Sequence, residues 1–213
     1  MIVVPDLASL AVFIAAALVL LLRPGPAVLY ILARSIDQGR RAGLISMLGV
    51  HAGTLVHIGV APAGVSAILA ASAPAFGAVK YLGAGYLVYL GIRRLRRRAP
   101  TLAPSIPRRR LRRAFVDGVV VNVLNPKTAL FVLAFLPQFV DVSRGHVGAQ
   151  TLTLGVIFVL LGLVTDGGYA VTAGTAAQWL RGHPRFVAGA PWISGSMYIG
   201  LGVAAALSSG HHK

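Results

Sequence analysis

From Ala42 to Val79 the chain carries no Asp, Glu, Lys or Arg. A helix needs about 20 apolar residues to cross a bilayer core of about 30 Å, so this run is too long for one upright span and too short for two. Apolar runs of similar character lie on both sides of it. Across all 213 residues 56% are hydrophobic and 12% charged, where an ordinary soluble domain carries about a quarter charged residues. These features predict an all-α, polytopic membrane protein of six transmembrane helices with short loops, forming one transmembrane domain over residues 1–213.

The spans are expected at about Leu7 to Leu32, Ala42 to Ala70, Phe76 to Leu95, Ala114 to Val140, Ala149 to Leu180 and Phe186 to Leu207. No Lys or Arg precedes the run from Leu7 to Leu22, and apolar residues resume after Pro26, so this segment is expected to stay on the protein rather than leave as a signal peptide. The net charge of +15 is concentrated. Arg93, Arg94, Arg96, Arg97 and Arg98 form one run, and Arg108, Arg109, Arg110, Arg112 and Arg113 form a second, joined by a linker with Pro100, Pro104 and Pro107. No aromatic stacking platform is interleaved with them, which argues against nucleic acid as a partner. Residues 93–113 read instead as a basic cytoplasmic loop within reach of anionic membrane lipids. Turns after the first, third and fifth spans are rich in arginine, so both termini are expected outside, on the periplasmic face. The absence of cysteine excludes disulfides and thiolate metal sites.

Two spans are interrupted. Arg23-Pro24-Gly25-Pro26 breaks the first and Asn125-Pro126-Lys127 the fourth. Proline removes a backbone donor, and broken helices at bilayer depth are tolerated where the freed carbonyls face protein or a polar cavity. The halves, about 1–95 and 114–207, show further likeness: Pro26 to Ala33 resembles Pro126 to Ala134, and Gly83-x-x-Tyr86-Leu87 resembles Gly195-x-x-Tyr198-Ile199. Three spans per half is an odd number, so similar halves insert with opposite topology. That is an inverted repeat, and its paired breaks mark the expected binding site.

Pro24-Gly25-Pro26, Arg40 to Gly43, Gly83-x-Gly85-Tyr86-Leu87-x-Tyr89-Leu90-Gly91, Asn125-Pro126-Lys127 and Leu136-Pro137-Gln138-Phe139 follow one another along the chain. Together they resemble the LysE-type amino-acid exporter family (lysine and homoserine/threonine, RhtB-like) over essentially the whole length. The resemblance implies a bacterial inner-membrane protein that exports amino acids or related small metabolites, driven by an ion gradient and without ATP. No cofactor is expected, and a homodimer is among the expected assemblies. Arg23 departs from the family pattern, where small or polar residues are more usual before Pro-Gly-Pro.

The expected substrate-binding set is Pro24, Gly25, Pro26, Asn122, Asn125, Pro126 and Lys127. An ammonium near the bilayer midplane costs about 2.5 to 3.5 kcal/mol on the insertion scale. Lys127 therefore either receives a substrate carboxylate, or pairs with Asp166, or reaches carbonyls freed by Pro126. Asp166 is the one acid deep inside a span; it either holds the substrate ammonium, takes up the coupling proton, or pairs with Arg23 or Lys127. His57 is read as a proton relay or a hydrogen-bonded packing residue. His51 and His57 are six apart and face different sides, which disfavours a metal pair. Asp37 and Asp117 are expected to pair with nearby arginines, and Tyr30 either gates the path or packs in the core. A membrane-embedded enzyme lacks its usual motifs here. The alternatives to amino-acid export are an inorganic-ion exporter, which would want clustered carboxylates, and a packing subunit that transports nothing.

Overall fold

Asp6 opens the first helix: its side chain accepts the Ser9 amide at 3.0 Å, which satisfies one of the orphan donors of a helix start. Helix α1 (Leu7–Leu22) stops at Arg23, and α2 (Pro26–Gln38) begins after Pro24 and Gly25 with its axis bent by 49°. Gly39 takes φ 86° between α2 and α3 (Arg40–Val60), a conformation glycine adopts without steric cost. The basic turn expected over Arg34 to Arg41 thus shrinks to one glycine, and Arg34 lies buried inside α2.

The computed structural model describes residues 6–61, 73–96 and 108–180, together with 189, 192–193, 195–200 and 203. Helix α4 (Ala73–Leu95) is followed by α5 (Arg108–Val123). The basic segment expected as a loop over 93–113 is therefore helical at both ends. Leu111 and Ala114 turn inward while Arg110, Arg112 and Arg113 stay exposed, so an amphipathic pattern carries the helix through the arginines. The linker prolines fall outside the described residues. A 55° bend then separates α5 from the second half of the fourth span. That half is irregular: α6 (Pro126–Leu130), one π-helical turn (Phe131–Phe135) and one 3-10 turn (Leu136–Phe139). A short 3-10 turn (Val142–Arg144) leads into the long helix α7 (Val147–Leu180). In that connection the Ser143 hydroxyl donates to Asp141 and holds its carboxyl below the usual carboxylate range.

Among the described residues, α3 and residues Val147–Trp179 are each long and apolar enough to cross a membrane alone, and each bent pair passes as one interrupted span. The expected third span forms α4. Residues 62–70 of the expected second span and most of the sixth lie outside the described residues, although 195–200 are helical.

Helix α3 is central because glycines let both neighbours approach it. A Cβ on Gly53 would lie 2.9 Å from the Val119 carbonyl oxygen, and one on Gly118 would lie 2.6 Å from that of Ser46, so α3 and α5 touch backbone to backbone. On its other side, Gly155, Gly162 and Gly174 of α7 admit Ile58, His51 and Arg40. Two apolar clusters result. One joins Phe13, Leu21, Ile58, Ala129, Leu154 and Phe158; the other joins Ala27, Tyr30, Met47, Val50, Val121 and Ala170. On four stretches of chain the two sets are separated by residues that include a helix break or a buried polar side chain: 22–26, 51–57, 122–128 and 159–169, the last holding Asp166. The functional candidates sit in that layer.

Replacing Gly49, which abuts the Phe115 carbonyl, by Val is expected to lower stability by about 1–3 kcal/mol through overpacking, read as thermal unfolding of the detergent-solubilised protein. Gly59→Ala, at a position with open space, is expected to hold or raise it.

Candidate functional site

Each proline at the breaks deprives one specific carbonyl of its helical donor. Pro24 leaves Leu20 without an i+4 amide, Pro26 does the same to Leu22, and Pro126 to Asn122. Inside lipid an unpaired carbonyl costs several kcal/mol. Side chains from other helices fill all three places. Lys127 Nζ donates to Leu20 O at 2.6 Å and also to Arg23 O at 2.6 Å. The Tyr169 hydroxyl donates to Leu22 O at 3.0 Å. His57 Nε2 lies 3.1 Å from Asn122 O, which also accepts the Asn125 amide.

These partners settle several of the expected alternatives. Lys127 does reach a freed carbonyl, but Leu20 in the first span and not the one freed by its own neighbour Pro126; Arg23 O is its second acceptor. The two breaks are thereby in contact, and a Cβ on Gly25 would lie 3.1 Å from Lys127 Cδ. His57 Nε2 lies against a backbone carbonyl, an acceptor that does not titrate, which matches the hydrogen-bonded packing residue among its expected readings. The pairing of Asp166 with Arg23 or Lys127 is corrected. Arg23 is exposed, and the ion-pair contact of Asp166 among the described residues is with His51, at 3.1 Å.

The break regions are capped unequally. Asn125 is the N-cap of α6, its side chain accepting the Lys127 amide at 3.1 Å. At α2 the N-cap is Gly25, with no side-chain cap. The first-turn amides of Ala27 and Val28 have no intrahelical acceptor, and the helix start carries a partial positive charge.

A small, partly open cavity lies between the breaks. Gly25, Asn122, Asn125, Lys127 and Asp166 from the expected set line it, joined by Ala27, Val28, His51 and Thr54. Pro24, Pro26 and Pro126 shape the breaks from outside the lining. Asn122 organises the wall. Its amide donates to Val50 O and Thr54 Oγ1, both at 2.8 Å, and its carbonyl oxygen accepts from Thr128 Oγ1 at 2.9 Å. Opposite, Asp166 and His51 are both buried, and Gly162 makes room for the imidazole one turn before Asp166. Asp166 Oδ1 and His51 Nδ1 have no hydrogen-bond partner, and His51 Nε2 has only its 3.1 Å contact with Asp166 Oδ2. Orphaned buried polar atoms lining a cavity are unusual and ask for a ligand or proton.

Sequence reasoning missed His51, Thr54, Thr128 and Tyr169. A usable signal existed for Tyr169 and His57, since three prolines predict three unpaired carbonyls and hence three donors. Nothing in the sequence says which donors reach them.

The sequence model of the LysE type translocator family matches residues 18–209. The chain is 33% identical over 195 residues to a homoserine/homoserine lactone efflux protein of Salmonella typhimurium, covering 90% of this chain and 91% of that protein. It is 32% identical over 192 residues to an uncharacterised membrane protein of Vibrio cholerae, covering 90% and 93%. No solved structure matches.

His57→Leu is expected to leave the Asn122 carbonyl with the Asn125 amide as its one donor and to destabilise the protein by about 0.5–1.5 kcal/mol, the net worth of one hydrogen bond, measured by thermal unfolding in detergent; an unchanged transition would mean that the Asn125 amide alone suffices.

Proposed function

The chain belongs to the LysE type translocator family, and on that premise we propose that it is a secondary carrier exporting amino acids or close derivatives across the bacterial inner membrane. Members of this family are translocators, not enzymes. In this reading the six spans form two inverted halves, about 1–95 and 114–207, and both termini face the periplasm. Support for the substrate class comes from the cavity's chemistry and from the homoserine/homoserine lactone efflux name of the Salmonella relative.

The observation that carries the reading is the contact between the two breaks at Lys127 beside the cavity that also holds Asp166. An α-amino acid is a carboxylate and an ammonium a short distance apart. Two of the three Lys127 N–H donors serve Leu20 and Arg23, leaving the third for a carboxylate seated at the uncapped start of α2. The substrate ammonium then meets Asp166 Oδ1. Asn122, Asn125 and Thr54 supply polar contacts for whatever lies between. When substrate leaves, Asp166 takes a proton in the ammonium's stead, while His51 holds Oδ2. Because one carboxylate serves both cations, the two are carried alternately, and the proton gradient drives export. Among the described residues Asp166 is the one carboxylate lining the cavity, which suits an amine better than a divalent ion that wants several oxygen ligands.

Two variants test this in cells expressing the chain, with radiolabelled homoserine efflux as the readout. Lys127→Ala, made in normal amount, is expected to lose export by at least about tenfold, the loss of one charge-assisted contact of about 1.5–3 kcal/mol; export at the parental rate would sink the carboxylate assignment. Asp166→Asn is expected to remove any dependence on the pH gradient, and retained dependence would rule out its proton role.

A further inference from the structure

Asp117 on α5 is buried, and two guanidiniums converge on its Oδ2: Arg34 of α2 forms a direct ion pair, and Arg93 Nη2 of α4 lies 3.9 Å away. The Tyr86 hydroxyl of α4 donates to Oδ1 at 3.0 Å. One carboxylate thus ties three helices, two from the first half of the chain and one from the second. Arg34 is further held over the Tyr30 ring, 5.3 Å from its centroid, and the Tyr30 hydroxyl donates to the Ala114 carbonyl of α5 at 2.7 Å.

Position gives this cluster its meaning. Along α2, Arg34 is eight residues past Pro26, about 12 Å at 1.5 Å per residue; along α5, Asp117 is five residues before Asn122, about 7.5 Å. Between cluster and cavity lie Tyr30, Ile31, Met47 and Val121, all buried. The cavity is therefore shut on the arginine-rich side by an apolar plug that the ion cluster clamps. Toward the other side the closing cluster is phenylalanine packing, Phe13, Phe131 and Phe158, with no ion pair among them. Two donors in the clamp have no acceptor: Arg34 Nε and Arg93 Nη1 are both buried and unpartnered.

We propose that the Arg34–Asp117–Arg93 cluster is a second carboxylate-receiving site and the lock on the arginine-rich end of the cavity. A substrate carboxylate arriving there takes the place of Asp117 on one guanidinium, and α2 is released from α5. Breaking a buried ion pair by bare separation is strongly unfavourable. Exchange of one carboxylate for another keeps each charge paired, because Arg93 and Tyr86 remain with Asp117 while Arg34 turns to the newcomer. This rests on the exporter reading, since it names the step before the substrate reaches Lys127.

The chain contains no cysteine, so Thr54→Cys, at the buried cavity wall, places a single thiol there. Labelling by a membrane-impermeant maleimide is followed in inside-out vesicles, where the cytoplasmic face is presented, and in right-side-out vesicles. Adding Asp117→Asn is expected to speed labelling about tenfold in inside-out vesicles only, and the reciprocal pair Arg34→Asp with Asp117→Arg to slow it again; tenfold corresponds to about 1.4 kcal/mol of gate opening. L-homoserine is expected to accelerate labelling with Asp117 intact, also when Lys127→Ala has removed the central carboxylate contact, whereas the corresponding amino alcohol is not. An unchanged rate with Asp117→Asn, or equal acceleration from both faces, overturns the lock. Acceleration that vanishes with Lys127→Ala overturns the second site. If Asp117→Asn does not fold, Arg93→Gln and Tyr86→Phe put the same question one contact at a time. A parent that moves no amino acid overturns the exporter reading and the carboxylate half of this inference, while the labelling rate of Asp117→Asn still decides the lock.

Discussion

The ammonium of Lys127 on the carbonyls of Leu20 and Arg23 is the contact through which the two broken spans become one site. The last carbonyls of a helix carry a partial negative charge, and Pro24 and Pro26 leave those of Leu20 and Leu22 without an i+4 amide. A cation from the other break satisfies the first of these. The cost of holding an ammonium inside the bundle is offset by ending the helix there at all. With that contact made, Gly25 is pressed against the lysine stem, the start of α2 stays uncapped, and the cavity opens beside it.

The remaining prolines extend the same logic. Tyr169 holds Leu22 and ties α7 to the first break; His57 holds Asn122 and ties α3 to the second. Each break is thus a place where neighbouring helices must bond to one another rather than merely pack. Asn122, whose backbone serves one of these bonds, uses its side chain to hold Val50, Thr54 and Thr128. The site is bonded where carbonyls are repaired and unfinished at Asp166 Oδ1 and His51 Nδ1, which have no partner. In the proposed carrier that contrast provides a bonded frame with a few polar atoms left for cargo.

Much of this was legible before any coordinates. The charge-free runs required a membrane protein, and the prolines marked two breaks whose flanking residues do line one cavity. Other features misled for physical reasons. Arg34 resembles a turn residue because arginine is rarely buried, but Asp117, 83 positions later, makes its burial tolerable. The run from Arg108 to Arg113 looks like loop, but a few inward apolar positions suffice for helix when its other face is solvated.

By itself, then, the chain determined its solvent, its helical class and the places where its helices must break, because hydrophobic run length and missing amide donors are local properties. Only the tertiary structure decided which donor repairs which carbonyl, that His51 rather than Arg23 or Lys127 meets Asp166, and that one carboxylate clamps three helices. Those are meetings of residues as much as 147 positions apart, as for Tyr169 with Leu22. Their partners are selected by packing geometry, on which no local pattern reports.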